Sequence, residues 1–345
     1  MFATGPAVEN DHSDVLGKQG GNVGDDISLD LSSCVNPYGP APSVVTALRE
    51  LPLATLKAHP FSASSYVEKL YSQRLGVEED ALVATRGASE AISHFATLFA
   101  DATVGLPAPT YTEYVSRFSN GVVVPNGSFW HSQEQLEAAA SKCGVVMFSN
   151  PHNPTGRSLS RTQIQEVAQS FPQCLFLVDE SYMDFLADEA DTTLIGGHLP
   201  NVAVLRSPTK FFGIGGVRIG VVWSANKILL VTLRSLQTTW PVSMIEAQLA
   251  AAAFADIDWQ HGVREQLSDD AAFLDAWLSE QSDVSACPGP LHFRLVSGDV
   301  DHLASRLKAS GIAVRTLSTL HGFAHPAVRI SAPAFHDRKQ LEALA

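Results

Sequence analysis

The stretch "RSPTKFFGIGGVRIG", residues 206–220, sets one lysine, Lys210, behind Ser207 and Thr209 and ahead of a glycine run, with Arg218 eight residues on. Such a grouping is either a phosphate loop or a lysine that is itself the reagent. An ATPase-type loop needs GxxxxGK[ST], which the chain lacks. A dinucleotide fingerprint must lie between a strand and a helix, whereas "GIGGVRIG" lies between a lysine and a further strand-like run. Three other groups carry chemistry. "CLFLVDE" ends in Asp179-Glu180 with Tyr182 just beyond, "SNPHNPTG" holds Asn153 between two prolines, and Gly87-Ala88-Ser89 follows "ALVAT". Free N–H groups and the helix dipole at such a glycine turn suit an anion, although many such turns hold nothing. The Asn153 loop is either a rigid amide donor or a plain stiff turn, and His152 reads as its spacer.

These residues share a position, because each follows a short apolar run. "ALVAT" (81–85), "TVGLP", "VVMFSN", "CLFLVDE", "VAVLRS" and "IGVVWS" have strand length, and helical stretches separate them. One of those, "SEAISHFATLFA" (89–100), is predicted to be capped by Ser89. Continuous apolar strands between helices predict an α/β fold with a mostly parallel sheet covered on both faces. Ligands then sit beyond the carboxyl ends of the strands. Helices are predicted from Asn226 to about Leu236 and again from Ser243. After about Asp258 the pattern changes to "DDAAFLDAWLSEQ" helix, "LHFRLV" strand, "DVDHLASRLKASG" helix, "IAVRTL" and "AVRIS" strands and a short last helix, a smaller α/β domain. The predicted division is a flexible arm at 1–26, an N-terminal segment joining the small domain at 27–64, a large domain at 65–240 and the small domain at 241–345.

The 345 residues are 45% hydrophobic and 17% charged, the composition of a globular protein with more than one core. A formal charge of −13 without basic clusters argues against a nucleic-acid binder. Cys34, Cys143, Cys174 and Cys287 lie far apart, which suits reduced thiols better than disulfides or a zinc site. The start has no basic, apolar leader and no run approaches about 18 apolar residues, so a cytoplasmic protein without a membrane span is expected.

One ligand needs a phosphate cradle, a carboxylate for a basic ring nitrogen, amide and phenol donors to a ring oxygen, and an amine for an aldehyde. Pyridoxal 5'-phosphate meets that description. Taken in order, "TRGASE", "PAPTYTEY", "SNPHNPTG", "VDESYMDF" and "SPTKFFGIGGVRIG" resemble fold-type I pyridoxal-phosphate enzymes. The resemblance is to the branch of histidinol-phosphate aminotransferases and threonine-phosphate decarboxylases, and runs from about 35 to 331. It implies a large domain with a seven-stranded-type, mostly parallel sheet sandwiched by helices, plus a smaller α/β domain.

The resemblance also assigns roles. Lys210 would form the Schiff base with the cofactor and shuttle the proton, and Asp179 would pair with the ring nitrogen. Asn153 and Tyr182 would bind the ring oxygen, and Tyr111 would stack on the ring or be an ordinary core aromatic. Gly87, Ala88, Ser89, Ser207, Thr209 and Arg218 would hold the phosphate. Arg329 resembles the anchor for a substrate carboxylate or phosphate, and Arg315 is a second anchor or a surface arginine. Asn36, Pro37, Tyr38 and Gly39 resemble the segment that closes over substrate. Two positions depart from the family pattern. His59, in "KAHPF", stands where a tyrosine usually reaches the partner subunit's cofactor phosphate, and Cys34 replaces the first polar residue of the N-terminal motif. His321 and His325 either read the substrate or are solvated loop residues. The expected activity is transamination between an amino acid, or an amino-acid-derived phosphate, and a keto acid, by a homodimer. Decarboxylation of a phosphorylated amino acid and a specialised elimination or cyclisation are the alternatives.

Overall fold

The computed structural model describes residues 20–21, 24, 26–124, 132–318 and 325–344. Most of the predicted arm (1–26) and His321 therefore lie outside the described residues. The strands in chain order are β1 (Leu29–Asp30), β2 (Leu82–Thr85), β3 (Val104–Pro107), β4 (Gly121–Val124), β5 (Val145–Ser149), β6 (Leu175–Asp179) and β7 (Val202–Arg206). They continue as β8 (Gly220–Ser224), β9 (Val284–Cys287), β10 (Phe293–Gly298), β11 (Ile312–Ala313), β12 (Arg315–Leu317) and β13 (Ala327–Ser331).

The large sheet has seven strands in the order β2-β8-β7-β6-β5-β3-β4. β7, β6, β5, β3 and β4 run parallel, while β8 is antiparallel to both β7 and β2. Alternate residues of the buried strands feed two cores, as a sheet covered on both faces requires. Val146, Phe148, Phe176, Val178 and Val204 face one core, and Val145, Met147, Leu177, Ala203 and Leu205 face the other. Helix starts on the rims use side-chain caps: Ser160 and Gln163 form a capping box, and Asn226, Ser243 and Asp256 each accept from a first-turn N–H. The helix predicted to be capped by Ser89 instead spans Gly87–Leu98, which places the Ser89 N–H in its open first turn.

A four-stranded antiparallel sheet, β12-β13-β10-β9, and the β1–β11 pair build the second layer with its own core. Leu29, Leu31, Leu274, Trp277, Val296, Leu303 and Ile330 belong to that core. The packing moves the boundary expected at 240/241. The helix Met244–Ala255, expected in the small domain, packs against Pro42–Arg49 and Ala63–Leu75 in the large core. The helix Ile257–Ser279 then passes from one core to the other, with Val263 and Leu267 in the first and Leu274 and Trp277 in the second. Within 27–64, Leu29 and Leu31 join the small core, whereas Ala41, Val44 and Ala63 join the large one. No helix among the described residues is long and apolar enough to cross a membrane.

Candidate active site

Parallel pairing brings the strand ends together. Ser149 of β5 pairs with Asp179 of β6, and Asp179 pairs with Leu205 of β7. The loops that leave these ends surround a cavity of about 730 Å³ lined by Lys210, Asp179, Asn153, Tyr182, Tyr111 and Arg329, among others.

At one end, Ala88, Ser89, Ser207, Thr209 and Arg218 line the wall. The first turn of Gly87–Leu98 has N–H groups with no intrahelical partner. Gly87 adopts φ +74°, and a Cβ there would lie 2.8 Å from Arg218 Nη2, so only glycine leaves room for the guanidinium. Ser207 Oγ donates to Ile219 O (2.9 Å) and lies 3.2 Å from Thr209 Oγ1. Ser89 Oγ donates to Glu113 Oε2, so this residue offers its N–H rather than its hydroxyl.

Asp179 is buried at the cavity wall. Ser181 N–H (2.9 Å) and Ser181 Oγ (2.5 Å) donate to its Oδ1, and Tyr114 OH donates to its Oδ2 (2.7 Å). Burial pushes its carboxyl above the usual range, and these donors, with Lys210, pull it back down. Burial lowers the Lys210 ammonium. Arg329 and Arg218 add to the lowering, while Cys34 and Asp179 oppose it, so the amine loses its proton more readily than an exposed lysine.

Arg329 Nη1 donates to Asn153 Oδ1 (2.7 Å) and Nη2 to Ser32 O (2.7 Å). With its oxygen taken, the Asn153 amide has its NH₂ left as donor. The Asn153 N–H is itself fixed by Ser149 Oγ (3.0 Å). Tyr182 is buried and packs edge-on to Phe293, with ring centroids 5.4 Å apart. Arg315 stands directly opposite Arg329 across β12 and β13, and its Nη2 donates to Thr112 Oγ1 (3.4 Å). Both hydrogen-bond to neutral oxygens. Burial and Arg329 lower the Arg315 pKa. Like charges facing each other across a ladder are unfavourable until an anion joins them.

The structure departs from expectation in the N-terminal segment. Ser33, Cys34 and Val35 line the cavity, but Asn36, Tyr38 and Gly39 do not. Asn36 instead clamps the lysine loop: its N–H donates to Lys210 O (2.9 Å) and its Nδ2 to Phe211 O (2.8 Å). Gly39 abuts Gly213, where a Cβ on either would lie within 2.6 Å of the other's Cα. Tyr38 OH donates to Asp270 Oδ2 (2.6 Å) and accepts from Phe335 N–H (2.7 Å). Burial and that carboxylate push its pKa up to about 12. His59 is exposed and stacked on Trp240 at 4.4 Å, outside the cavity. His152 is a buried clamp between Thr155 Oγ1 (2.8 Å) and Pro109 O (2.9 Å), held neutral by burial with its pKa lowered to about 4. His325 is exposed beside Asp299 and Asp301, apart from the cavity. Two groups on Asp179 were missed, Tyr114 and Ser181. Both lie in quoted motifs, but nothing in the spacing ties "PTYTEY" to Asp179.

Three features fit pyridoxal 5'-phosphate: the glycine-cleared pocket beneath Arg218, the buried Lys210 with lowered basicity, and a buried carboxylate with an unfilled acceptor position. Comparison with known proteins agrees. Histidinol-phosphate aminotransferase 1 of Archaeoglobus fulgidus is 27% identical over 315 residues, covering 89% of this chain and 95% of that one. The histidinol-phosphate aminotransferase of Sinorhizobium meliloti, solved in complex with pyridoxal-5'-phosphate, superposes with a TM-score of 0.81 at 22% identity, covering 92% of this chain and 89% of that one. The L-threonine-O-3-phosphate decarboxylase of Porphyromonas gingivalis superposes at 0.78 with 22% identity, covering 92% and 98%. Residues 26–345 match the family described as aminotransferase class I and II, and the chain belongs to that family of pyridoxal-phosphate enzymes.

Proposed function

We propose that the chain is an aminotransferase whose amino donor carries a carboxylate or phosphate, an amino acid or amino-acid-derived phosphate, with a keto acid as second substrate. The observation that carries this reading is the facing pair Arg315 and Arg329 on the same cavity as Lys210. Two guanidiniums that have no carboxylate partner among the described residues favour an anionic substrate. The named activity of the relatives, on histidinol phosphate, agrees with a phosphorylated amine.

Bound pyridoxal phosphate supplies an aldehyde for the amine and a ring that draws electrons from the bonds at the substrate's α-carbon. The chain's own residues do the rest. Arg218, Ser207, Thr209 and the first-turn N–H groups from Gly87 to Ser89 would hold the phosphate. Asp179 would pair with the ring nitrogen, Asn153 and Tyr182 would donate to the ring oxygen, and Tyr111 would cover a ring face. Lys210 would anchor the cofactor covalently. Its Nζ would also take the substrate's α-proton and return it, a role that the lowered pKa favours. Arg329 and Arg315 would fix the substrate anion, and Cys34 with Val35 would exclude water from above the lysine. We place the enzyme in the cytoplasm as a homodimer, on the strength of four buried free cysteines and an exposed apolar patch.

Incubating the protein with a panel of amino acids and phosphorylated amines plus a keto acid, with products read by mass spectrometry, tests the reaction. A keto product matched by a new amino acid is expected, whereas carbon dioxide loss or ring closure would replace the reading by a lyase. Borohydride should fix the cofactor to Lys210 in the wild type and leave Lys210→Ala unlabelled. Label on another lysine would refute the assignment.

A further inference from the structure

Tyr114 has no place in the reading above, yet it touches two of its residues. It lies three positions after Tyr111, the extended N-cap of the short helix Thr112–Arg117, whose first turn closes with Tyr114 N–H on Tyr111 O (3.1 Å). Their rings meet edge to face, with centroids 5.4 Å apart and planes at 90°. The far end of Tyr114 then reaches Asp179 Oδ2 at 2.7 Å. An ionised carboxylate only accepts, so the phenol is the donor. Tyr114 is 1% exposed, and no bulk water competes for that bond. Burial also keeps the phenol protonated, as the donor role demands.

A carboxylate offers about four acceptor positions. Ser181 fills two on Oδ1 through its N–H and hydroxyl, and Tyr114 fills one on Oδ2. One position is left for a ring N–H. The charge that Asp179 presents there depends on how much the other donors draw away. A carboxylate stripped of one donor is more basic, and holds a shared proton closer to itself.

We propose that Tyr114 is a positioning residue that fixes the Asp179 carboxylate and the Tyr111 ring together, and thereby sets how firmly the cofactor's ring nitrogen keeps its proton. This inference rests on the reading of Asp179 as the ring-nitrogen partner. Tyr114 borders the cavity, but in this role its hydroxyl is directed to Asp179 and its ring to Tyr111. It acts through its two neighbours.

The test uses holoenzyme loaded with pyridoxal phosphate labelled with ¹⁵N in the ring. In Tyr114→Phe the ring stays and the hydroxyl goes, so the ¹⁵N resonance should move towards that of an unprotonated pyridine. Cofactor affinity of the apoprotein should fall about tenfold, because the Asp179 carboxylate is no longer held pre-organised for the ring N–H. kcat should fall by a similar factor, with the KM of the amino donor unchanged. In Tyr114→Leu the edge contact with Tyr111 is lost as well, and cofactor affinity should fall further. Equal affinity of the Phe and Leu variants would remove Tyr111 from the proposal. Asp179→Asn is the control. If it moves the resonance and Tyr114→Phe does not, the proposal is overturned while the role of Asp179 stands. If Asp179→Asn leaves the resonance in place, the Asp179 reading itself falls, and this inference with it. Should Tyr114→Phe fail to fold, Ser181→Ala, which strips a donor from the other oxygen, must shift the resonance in the same direction; an unmoved resonance there also overturns the proposal.

Discussion

His292 shows what burial does to a single side chain beside the site. Neither of its ring nitrogens has a hydrogen-bond partner among the described residues, and its ring is stacked on Phe185 with centroids 4.5 Å apart. Burial lowers its pKa to about 3, and the cations Arg329, Arg294 and Lys210 add to the shift. The unfolded chain would protonate this histidine near 6.5, while the folded chain keeps it neutral. Between those two values the unfolded state binds the extra proton, so the group's contribution to stability is complete above about 6.5 and is lost as the pH falls towards 3. At pH 5 that loss is roughly 2 kcal/mol relative to pH 7, at about 1.36 kcal/mol per unit. His292→Leu keeps an apolar side chain against Phe185 and removes both the titration and two unsatisfied polar atoms. Its melting temperature should match or exceed the wild type at pH 7 and exceed it by a wider margin at pH 5. A margin that does not grow with acidity would show that His292 is not the titrating group.

The close approach of Gly39 to Gly213 is a relation between elements, the N-terminal segment and the lysine loop. Gly213 adopts φ +63°, and a Cβ on it would lie 2.5 Å from Gly39 Cα, so alanine meets both backbone strain and a clash. Gly213→Ala should destabilise the fold by about 2–5 kcal/mol, the sum of typical overpacking and left-handed penalties, in a denaturant titration. It should also weaken cofactor binding, because Asn36 holds the Lys210 carbonyl through the same contact region. A variant with wild-type stability would mean that the segment does not press on the loop. How much of this was legible follows from how far each signal reaches. β5, β6 and β7 are buried on both faces, so their apolar runs stand out in the sequence, and the residues that follow them were found with them. β9 alternates in exposure and carries no such run, while β4 is the short apolar stretch GVVV at the sheet's edge, and neither is among the strands the sequence predicts. "IAVRTL" predicts one strand but divides into β11 and β12, which pair in different sheets, a choice made by partners rather than by local composition. Tyr114 is 65 residues from Asp179, and Tyr38 is 232 from Asp270; no spacing rule reaches across such separations.

At the scale of the molecule, one face stays unfinished. Leu53, Leu56 and Phe61 are 62%, 64% and 79% exposed, and Trp240, at 42%, stacks on His59 and meets Phe61 edge-on at 5.7 Å. A single exposed leucine is ordinary, but a cluster holding a tryptophan and a phenylalanine marks an interaction surface. The proposed homodimer supplies the occupant, a second copy of the chain. Its symmetry would let each His59 approach the other subunit's site, the position the family gives to a tyrosine. Trp240 is the residue on this face best suited to anchor the contact, since aromatic anchors at interface centres typically contribute 2 kcal/mol or more. Light scattering should give the mass of two chains for the wild type, and Trp240→Glu should shift it to one at micromolar concentration. His59→Ala, which leaves most of the apolar surface in place, should remain dimeric and bind pyridoxal phosphate more weakly. A Trp240→Glu protein that stays dimeric would place the interface on another face. If His59→Ala binds the cofactor as tightly as the wild type, His59 does not reach the other subunit's phosphate site, and its stacking on Trp240 is its whole role.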